Sequence, residues 1–133
     1  MAYRVFISHS TDDLWVARQI ERCIRELGGE TFFDAYDIDV GVFETRLFET
    51  LPTCREFVVL FTPWSVRRNW LWVEMGAARV CRLQIVPILY KTTLGEIDEN
   101  LGGATFLHSL KVIDINALDD YFDGLGKRIG DGR

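Results

Sequence analysis

The residue with the clearest chemical potential in this sequence is a glutamate set among apolar residues at helical spacing. Glu74 follows Trp70 by four positions, so on a helix the two side chains lie next to each other on one face. The apolar stripe expected beside them consists of Trp70, Val73, Ala77 and either Val80 or Cys81. From spacing alone, two interpretations stay open: a structural carboxylate that binds a backbone N–H group or an arginine, and a functional acid.

Polar and aromatic side chains follow two of the strand-like segments. Ser8 and Ser10 have hydroxyls that can hydrogen-bond a ribose or a phosphate, although serines after a strand also serve as turn or cap residues. His9, between them, allows both interpretations. Trp64 and Trp70 can stack on a purine or nicotinamide ring, whereas aromatic residues on a helix usually belong to the core.

Several familiar sites are absent from the sequence. There is no GxGxxG motif after a strand and no GxxxxGK[ST] motif, which argues against a Rossmann site and a P-loop. The third strand-like segment ends at Thr62, where a response regulator would need a phosphoacceptor aspartate. His9 and His108 lie far apart and no HExxH motif occurs, so no metal site is expected. The three cysteines lack CxxC spacing and are interpreted as reduced intracellular thiols.

Strand-like and helix-like segments alternate along the chain, which predicts a parallel sheet covered by helices. The five strand-like segments are Tyr3–Ser8, Glu30–Phe33, Glu56–Thr62, Gln84–Leu89 and Leu110–Ile115. Helical stripes are expected over Ala17–Leu27, Phe43–Leu51 and Trp70–Cys81, with a last helix over Leu118–Ile129. The segment Lys91–Ala104 contains glycine and acidic residues and is expected to be a loop with a short helix.

The position of a site follows from this order of elements. In an open parallel sheet, ligands bind beyond the carboxyl ends of the strands, where neighbouring connections leave towards opposite faces. For a flavodoxin-like strand order of 2-1-3-4-5, this crevice lies between the first and third strands. The segments Ser8–Asp13 and Thr62–Ser65 follow those two strands, and the second leads into the helix that carries Glu74.

Composition limits the remaining possibilities. The chain has 133 residues, so residues 1–133 are expected to form a single domain. A net charge of −5 without a basic stripe argues against a nucleic-acid partner. No signal peptide precedes the first strand, and no apolar stretch approaches the roughly 18 residues of a membrane span. A cytoplasmic location without a membrane partner is therefore expected.

Three segments, taken in order and spacing, resemble a TIR (Toll/interleukin-1 receptor) domain, and the match covers Tyr3 to about Tyr90. The first is Tyr3–Ser10, which is similar to the first box of the family. The second runs from Phe33 to Gly41 and resembles the BB loop, which follows the second strand. The third joins Leu60–Pro63 to Trp70–Glu74, similar to the family's "(S/T)P…WxxxE" segment. The resemblance implies the flavodoxin-like three-layer α/β fold.

The resemblance also implies a chemistry, that of the NAD glycohydrolases of this family, whose essential residue is the glutamate of WxxxE. By position this is Glu74, and Trp70 is the tryptophan of the motif. Substrate contacts are expected at Phe6, Ser8, His9, Ser10, Asp37 and Trp70, and an assembly loop at Ile38 and Gly41. NAD+ is then the substrate, no cofactor or metal is implied, and the partners are other TIR domains. Some NAD-cleaving relatives carry basic residues where His9 and Ser10 stand here.

Three functions compete at this stage. The first is an NAD-consuming effector of immune or anti-phage signalling, most like prokaryotic TIR proteins, which releases nicotinamide and ADP-ribose or a cyclic isomer. The second is a non-catalytic adaptor that acts by TIR–TIR assembly. The third is an enzyme like the nucleoside deoxyribosyltransferases, which would attack nucleosides instead of NAD. The Trp70–Glu74 pair favours the first, and an occluded or salt-bridged Glu74 would favour the second.

Overall fold

The structure is a computed structural model that describes residues 2–33, 46–101 and 105–131. Three residues to which the sequence assigned a role, Asp37, Ile38 and Gly41, lie outside these ranges. The same is true of Phe43, the first residue of the second predicted helical stripe.

Five parallel strands form one sheet in the order β2-β1-β3-β4-β5, which confirms the predicted flavodoxin-like topology. All six residues of the central strand β3 are buried, as expected for a strand covered on both faces. The last strand is much shorter than the predicted Leu110–Ile115 because only two of its residues pair with β4. The strands are β1 Arg4–Ser8, β2 Glu30–Phe33, β3 Glu56–Phe61, β4 Gln84–Leu89 and β5 Ile113–Asp114.

Helices cover both faces of the sheet. The helix α1 ends at Glu26, and Gly28, two residues later, has a φ of 97° in the left-handed region that glycine adopts without strain. A short helix, α4, forms within the predicted Lys91–Ala104 loop. The helices are α1 Leu14–Glu26, α2 at residues 46–50, α3 Asn69–Val80, α4 Leu94–Leu101 and α5 Leu118–Asp131.

Alternation along the strands divides the core into two layers. In one layer Val58 and Leu60 of β3 pack with α1 and α5, represented by Ile20 and Leu125. In the other layer the neighbouring β3 residues pack with residues of α2, α3 and α4; they include Phe57, Val59, Phe61, Leu47, Met75 and Ile97. The sheet therefore lies between two helical layers, and α3, with Glu74, belongs to the second.

The predicted apolar stripe of α3 is wrong, because the buried face of the helix is displaced by one residue along the sequence. The buried residues of this helix are Leu71, Glu74, Met75 and Ala78, whereas Val73 is exposed and Val80 is 83% exposed. The reason is that α3 carries apolar side chains around most of its circumference, so spacing alone does not select the face that the sheet covers. Phe48 of the second stripe is likewise 56% exposed, although Leu47 and Leu51 are buried.

Candidate functional site

The carboxylate of Glu74 reaches the carboxyl end of β1. The Ser8 hydroxyl donates a hydrogen bond of 3.1 Å to Glu74 Oε1, and both residues are fully buried. Ser8 is the last residue of β1 and Glu74 lies in the middle of α3, so the contact joins sheet and helix beside the crevice between β1 and β3. Trp70 is part-buried one turn earlier on the same helix. The structure thus brings together two residues that the sequence assigned to the site.

A second buried carboxylate, Asp13, lies where the turns after β1 and β3 meet. Its Oδ2 accepts hydrogen bonds from the hydroxyl of Ser10, at 2.5 Å, and from the hydroxyl of Thr62, at 2.6 Å. From the sequence, Asp13 was placed only at the end of the segment Ser8–Asp13 that follows the first strand. The overlooked signal was the Ser-x-x-Asp spacing directly after the first strand, which is typical of a side chain that closes a turn.

The turn after β3 is closed by reciprocal hydrogen bonds between Thr62 and Ser65. The backbone N–H of Thr62 donates to Ser65 Oγ at 2.8 Å, and the N–H of Ser65 donates to Thr62 Oγ1 at 3.1 Å. The Ser65 hydroxyl also donates to the carbonyl of Leu60 at 2.7 Å. The two residues between them form the tip of this turn, where Trp64 is 49% exposed.

His9 is buried beside the same crevice. Its Nδ1 lies 2.7 Å from the Ser10 carbonyl oxygen, and its ring meets the edge of Phe33 at 5.2 Å between centroids. Burial lowers the pKa of His9 below 6.5; the Ser10 carbonyl and the charge of Asp13 oppose this shift, and positive charge on Arg68 and Arg18 adds to it. His9 is therefore neutral at neutral pH, and its Nδ1–H donates to the carbonyl.

Phe6, which was expected to contact substrate, lies in the hydrophobic core. Phe6 is fully buried and stacks between Phe32, at 5.2 Å, and Phe57, at 5.3 Å. Phe6 and Ser8 point to the same face of the sheet because they are two positions apart on β1, but Phe6 lies one repeat deeper. Ser8 therefore lies nearer the carboxyl end of the sheet than Phe6 does.

Neither a metal cluster nor a membrane span is found among the described residues. Within residues 2–33, 46–101 and 105–131, no three histidine, cysteine, aspartate or glutamate side chains are arranged to hold a metal ion. In the part of the chain that the structure describes, no helix is long and apolar enough to span a bilayer.

Solved structures with the same fold include proteins of different activity. The TIR domain of the Toll-related receptor TRR-2 from Hydra magnipapillata has a TM-score of 0.73 at 20% identity, covering 96% of this chain and 98% of that chain. The CMP N-glycosidase BcmB of Clostridium botulinum has a TM-score of 0.63 at 18% identity, covering 92% and 96%. The TIR domains of the activated Roq1 resistosome, which recognises the pathogen effector XopQ, have a TM-score of 0.61 at 20% identity, covering 95% and 82%. At these identities the likeness shows a shared fold.

Sequence comparison identifies the family. No curated protein sequence matches the chain. The family model of the TIR domain, in contrast, matches residues 5–129, a range that includes the Ser8–Glu74 pair and, except for Arg4, all five strands. The chain belongs to the TIR domain family.

Proposed function

We propose that this TIR domain is an N-glycosidase that cleaves the nicotinamide–ribose bond of NAD+, in the setting of immune or anti-phage signalling. The observation that carries the proposal is the contact between Glu74 and Ser8, a carboxylate held by a hydroxyl beside the crevice where parallel sheets bind ligands. The products are nicotinamide and either ADP-ribose or a cyclic ADP-ribose isomer.

The chemistry needs one well-placed carboxylate. When the C–N bond breaks, its electron pair leaves with nicotinamide, which departs as a neutral molecule, and positive charge develops on the ribose ring. A carboxylate that is held in place and shielded from water stabilises that charge strongly, because no free energy is needed to reorient it during the reaction. Ser8 supplies such fixation by holding Glu74 Oε1. Water then adds to the ribose carbon, or an adenine nitrogen does so in cyclisation.

The relatives support N-glycosidic chemistry in general. BcmB, which shares this fold, is named as a glycosidase acting on CMP, a nucleotide whose base is also joined to ribose by a C–N bond. The proposal extends that bond type to NAD+ on the strength of the WxxxE segment, Trp70 to Glu74. CMP is therefore the competing substrate that any assay has to include.

A specific observation favours the adaptor as a second candidate. Glu74 and Ser8 are both fully buried, so a substrate reaches the carboxylate only after the site opens. For the enzyme, assembly with other TIR domains supplies the opening. For the adaptor, the same carboxylate remains buried and assembly is the whole function. The two candidates differ in whether NAD+ is consumed once the protein has assembled.

The test is a mass-resolved assay of NAD+ and CMP at high protein concentration with a crowding agent, with assembly followed by light scattering. The variants are Glu74→Gln and, as a matched control, Glu26→Gln on the exposed face of α1. Nicotinamide release by the wild type and Glu26→Gln, but not by Glu74→Gln, supports the proposal. Assembled wild-type protein that leaves NAD+ intact refutes it; cytosine release from CMP would then assign the other substrate, and no release would assign the adaptor.

A further inference from the structure

Asp13 is a buried carboxylate without a role in the chemistry described above. It occupies the N-cap position of α1, where an aspartate side chain commonly accepts from the first backbone N–H groups of the helix. Here its side chain makes no such cap bond. It accepts instead from the hydroxyls of Ser10 and Thr62, both on the same oxygen. Helix capping therefore does not account for this carboxylate.

The two hydroxyl donors belong to turns that are each closed internally. In the turn after β1, the Asp13 N–H donates to the Ser10 carbonyl at 3.0 Å, in addition to the side-chain bond. In the turn after β3, Thr62 and Ser65 bond each other reciprocally. The bond between Thr62 and Asp13 joins these two units across 49 positions of sequence.

Both turns lead directly to the residues proposed to act on substrate. Ser8 lies two positions before Ser10, and the turn at Ser65 leads into α3, which carries Glu74. The distance between the Ser8 hydroxyl and the Glu74 carboxylate therefore depends on how the two turns are held relative to each other. Because a displacement of about 1 Å can cost roughly a hundredfold in rate, control of this spacing matters for catalysis.

Building on the proposed N-glycosidase activity, we infer that Asp13 is a positioning residue. With Ser10 and Thr62 it forms a clamp that holds the turns after β1 and β3 at the spacing at which Ser8 binds Glu74. A carboxylate suits this task because one oxygen accepts from two hydroxyls at once, and bonds to a charged acceptor are shorter and stronger than bonds between neutral groups.

The clamp is tested from the Thr62 side; because Thr62→Val also removes the bond from the Ser65 N–H, exchange of the Asp13 amide on the other turn provides the readout specific to the clamp. Thr62→Val is nearly isosteric and removes the hydroxyl, whereas Thr62→Ser keeps it. Thr93→Val is the matched control, because the Thr93 hydroxyl accepts a local bond from the N–H of Glu96 at the start of α4. All variants are compared at a temperature at which circular dichroism shows each of them fully folded.

On assembled protein with NAD+, Thr62→Val is expected to lower kcat about tenfold and to change KM less than about twofold, as for an interaction that acts mainly in the transition state. Thr62→Ser and Thr93→Val are expected to stay within about twofold of the wild type in kcat. A merely structural role would reduce stability and leave kcat per folded molecule unchanged. Wild-type kcat in Thr62→Val would overturn the clamp while the N-glycosidase proposal stands.

Hydrogen exchange provides a readout that does not depend on turnover. In Thr62→Val the amide of Asp13, on the opposite turn, is expected to exchange about tenfold faster than in the wild type, and in Thr62→Ser at the wild-type rate. An unchanged Asp13 amide in Thr62→Val overturns the clamp whatever the activity. If the wild type cleaves neither NAD+ nor CMP, the proposed function fails and with it the positioning role of Asp13 in catalysis, even where faster exchange shows that the turns are joined.

Discussion

A glutamate is buried at each end of the sheet, and the two glutamates have different hydrogen-bond partners. At the amino end, Glu56 begins β3 and accepts from the guanidinium of Arg128 at 2.9 and 3.1 Å. It also accepts from the hydroxyls of Tyr3 and Tyr121, the latter at 2.9 Å. At the carboxyl end, Glu74 accepts from the hydroxyl of Ser8. At the amino end the buried carboxylate is matched by a cation and two phenols, and at the carboxyl end Glu74 contacts the Ser8 hydroxyl beside the crevice between β1 and β3.

We interpret the network around Glu56 as structural, in contrast to the role proposed for Glu74. The Glu56 network joins the segment before β1, the start of β3 and the helix α5, which lie far apart in sequence. The bond with Glu56 raises the pKa of Arg128, and burial followed by the bond with Glu56 raises the pKa of Tyr3 to about 12. These groups keep their charge states throughout the physiological range, as expected of a network that stabilises the fold. We call the network of Glu56 with Arg128, Tyr3 and Tyr121 the structural lock. Glu74 instead lies beside the crevice in which the proposed reaction would take place.

The largest expected effect is on stability, at the amino end. Arg128→Met leaves the buried Glu56 without its cation and is expected to lower the free energy of unfolding by about 3 kcal/mol. This is the lower end of the range for a broken buried pair, because the Arg128 side chain is 34% exposed. Urea unfolding measures the change. Lys127→Met, which removes an exposed charge from the neighbouring position, should stay within about 0.5 kcal/mol of the wild type, and equal losses in both variants would contradict the lock.

At the carboxyl end the expected loss is in activity. Glu74→Gln is nearly isosteric and removes the charge, so turnover of NAD+ should fall about a hundredfold or more, equivalent to about 2.7 kcal/mol. The thermal midpoint should change by only a few degrees, in contrast to Arg128→Met. Product formation and a thermal scan on the same preparation measure both quantities. If Glu74→Gln lowers the thermal midpoint as much as Arg128→Met does, Glu74 is a structural residue like Glu56.

The sequence was sufficient for the architecture because runs such as Phe57–Phe61 and Ile85–Leu89 are apolar enough to form only central strands of a parallel sheet. It was insufficient for the face of α3, since this helix is apolar on most sides and the sheet decides which side is buried. Ser8 and Glu74 were both assigned to the site, but their contact spans 66 positions and depends on tertiary packing. The structural lock around Glu56 was not predicted because its contacts also join residues far apart in sequence.

A smaller effect is expected from the partner of Glu74. Ser8→Ala removes the described hydrogen bond to Oε1, and a hydrogen bond to a charged group contributes about 1.5–3 kcal/mol. A decrease in kcat of about thirtyfold, equivalent to about 2 kcal/mol, is therefore expected, with little change in KM. Steady-state kinetics measure it, and Thr11→Ala on the exposed part of the next turn is the control. A rise in KM at unchanged kcat would show that Ser8 binds substrate and does not fix the carboxylate.

The smallest expected effect is on the pH dependence of stability, to which His9 at the carboxyl end of the sheet contributes and Tyr3 at the amino end does not. The lowered pKa of His9 means that the unfolded chain takes up a proton below pH 6.5 while the folded chain resists it. The stability associated with neutral His9 is therefore present above pH 6.5 and is lost as the pH falls towards the folded pKa, by at most about 1.4 kcal/mol per pH unit. Tyr3 at the amino end, with its pKa near 12, adds nothing in this range.

Urea unfolding between pH 7.5 and 5 measures this contribution. The free energy of unfolding should depend less steeply on pH in His9→Asn than in the wild type, and a variant with the half-exposed His108 replaced is the control. Equal slopes in His9→Asn and the wild type would assign the pH dependence to carboxylates elsewhere, and the carboxyl end would then be as insensitive to pH as the lock at the amino end.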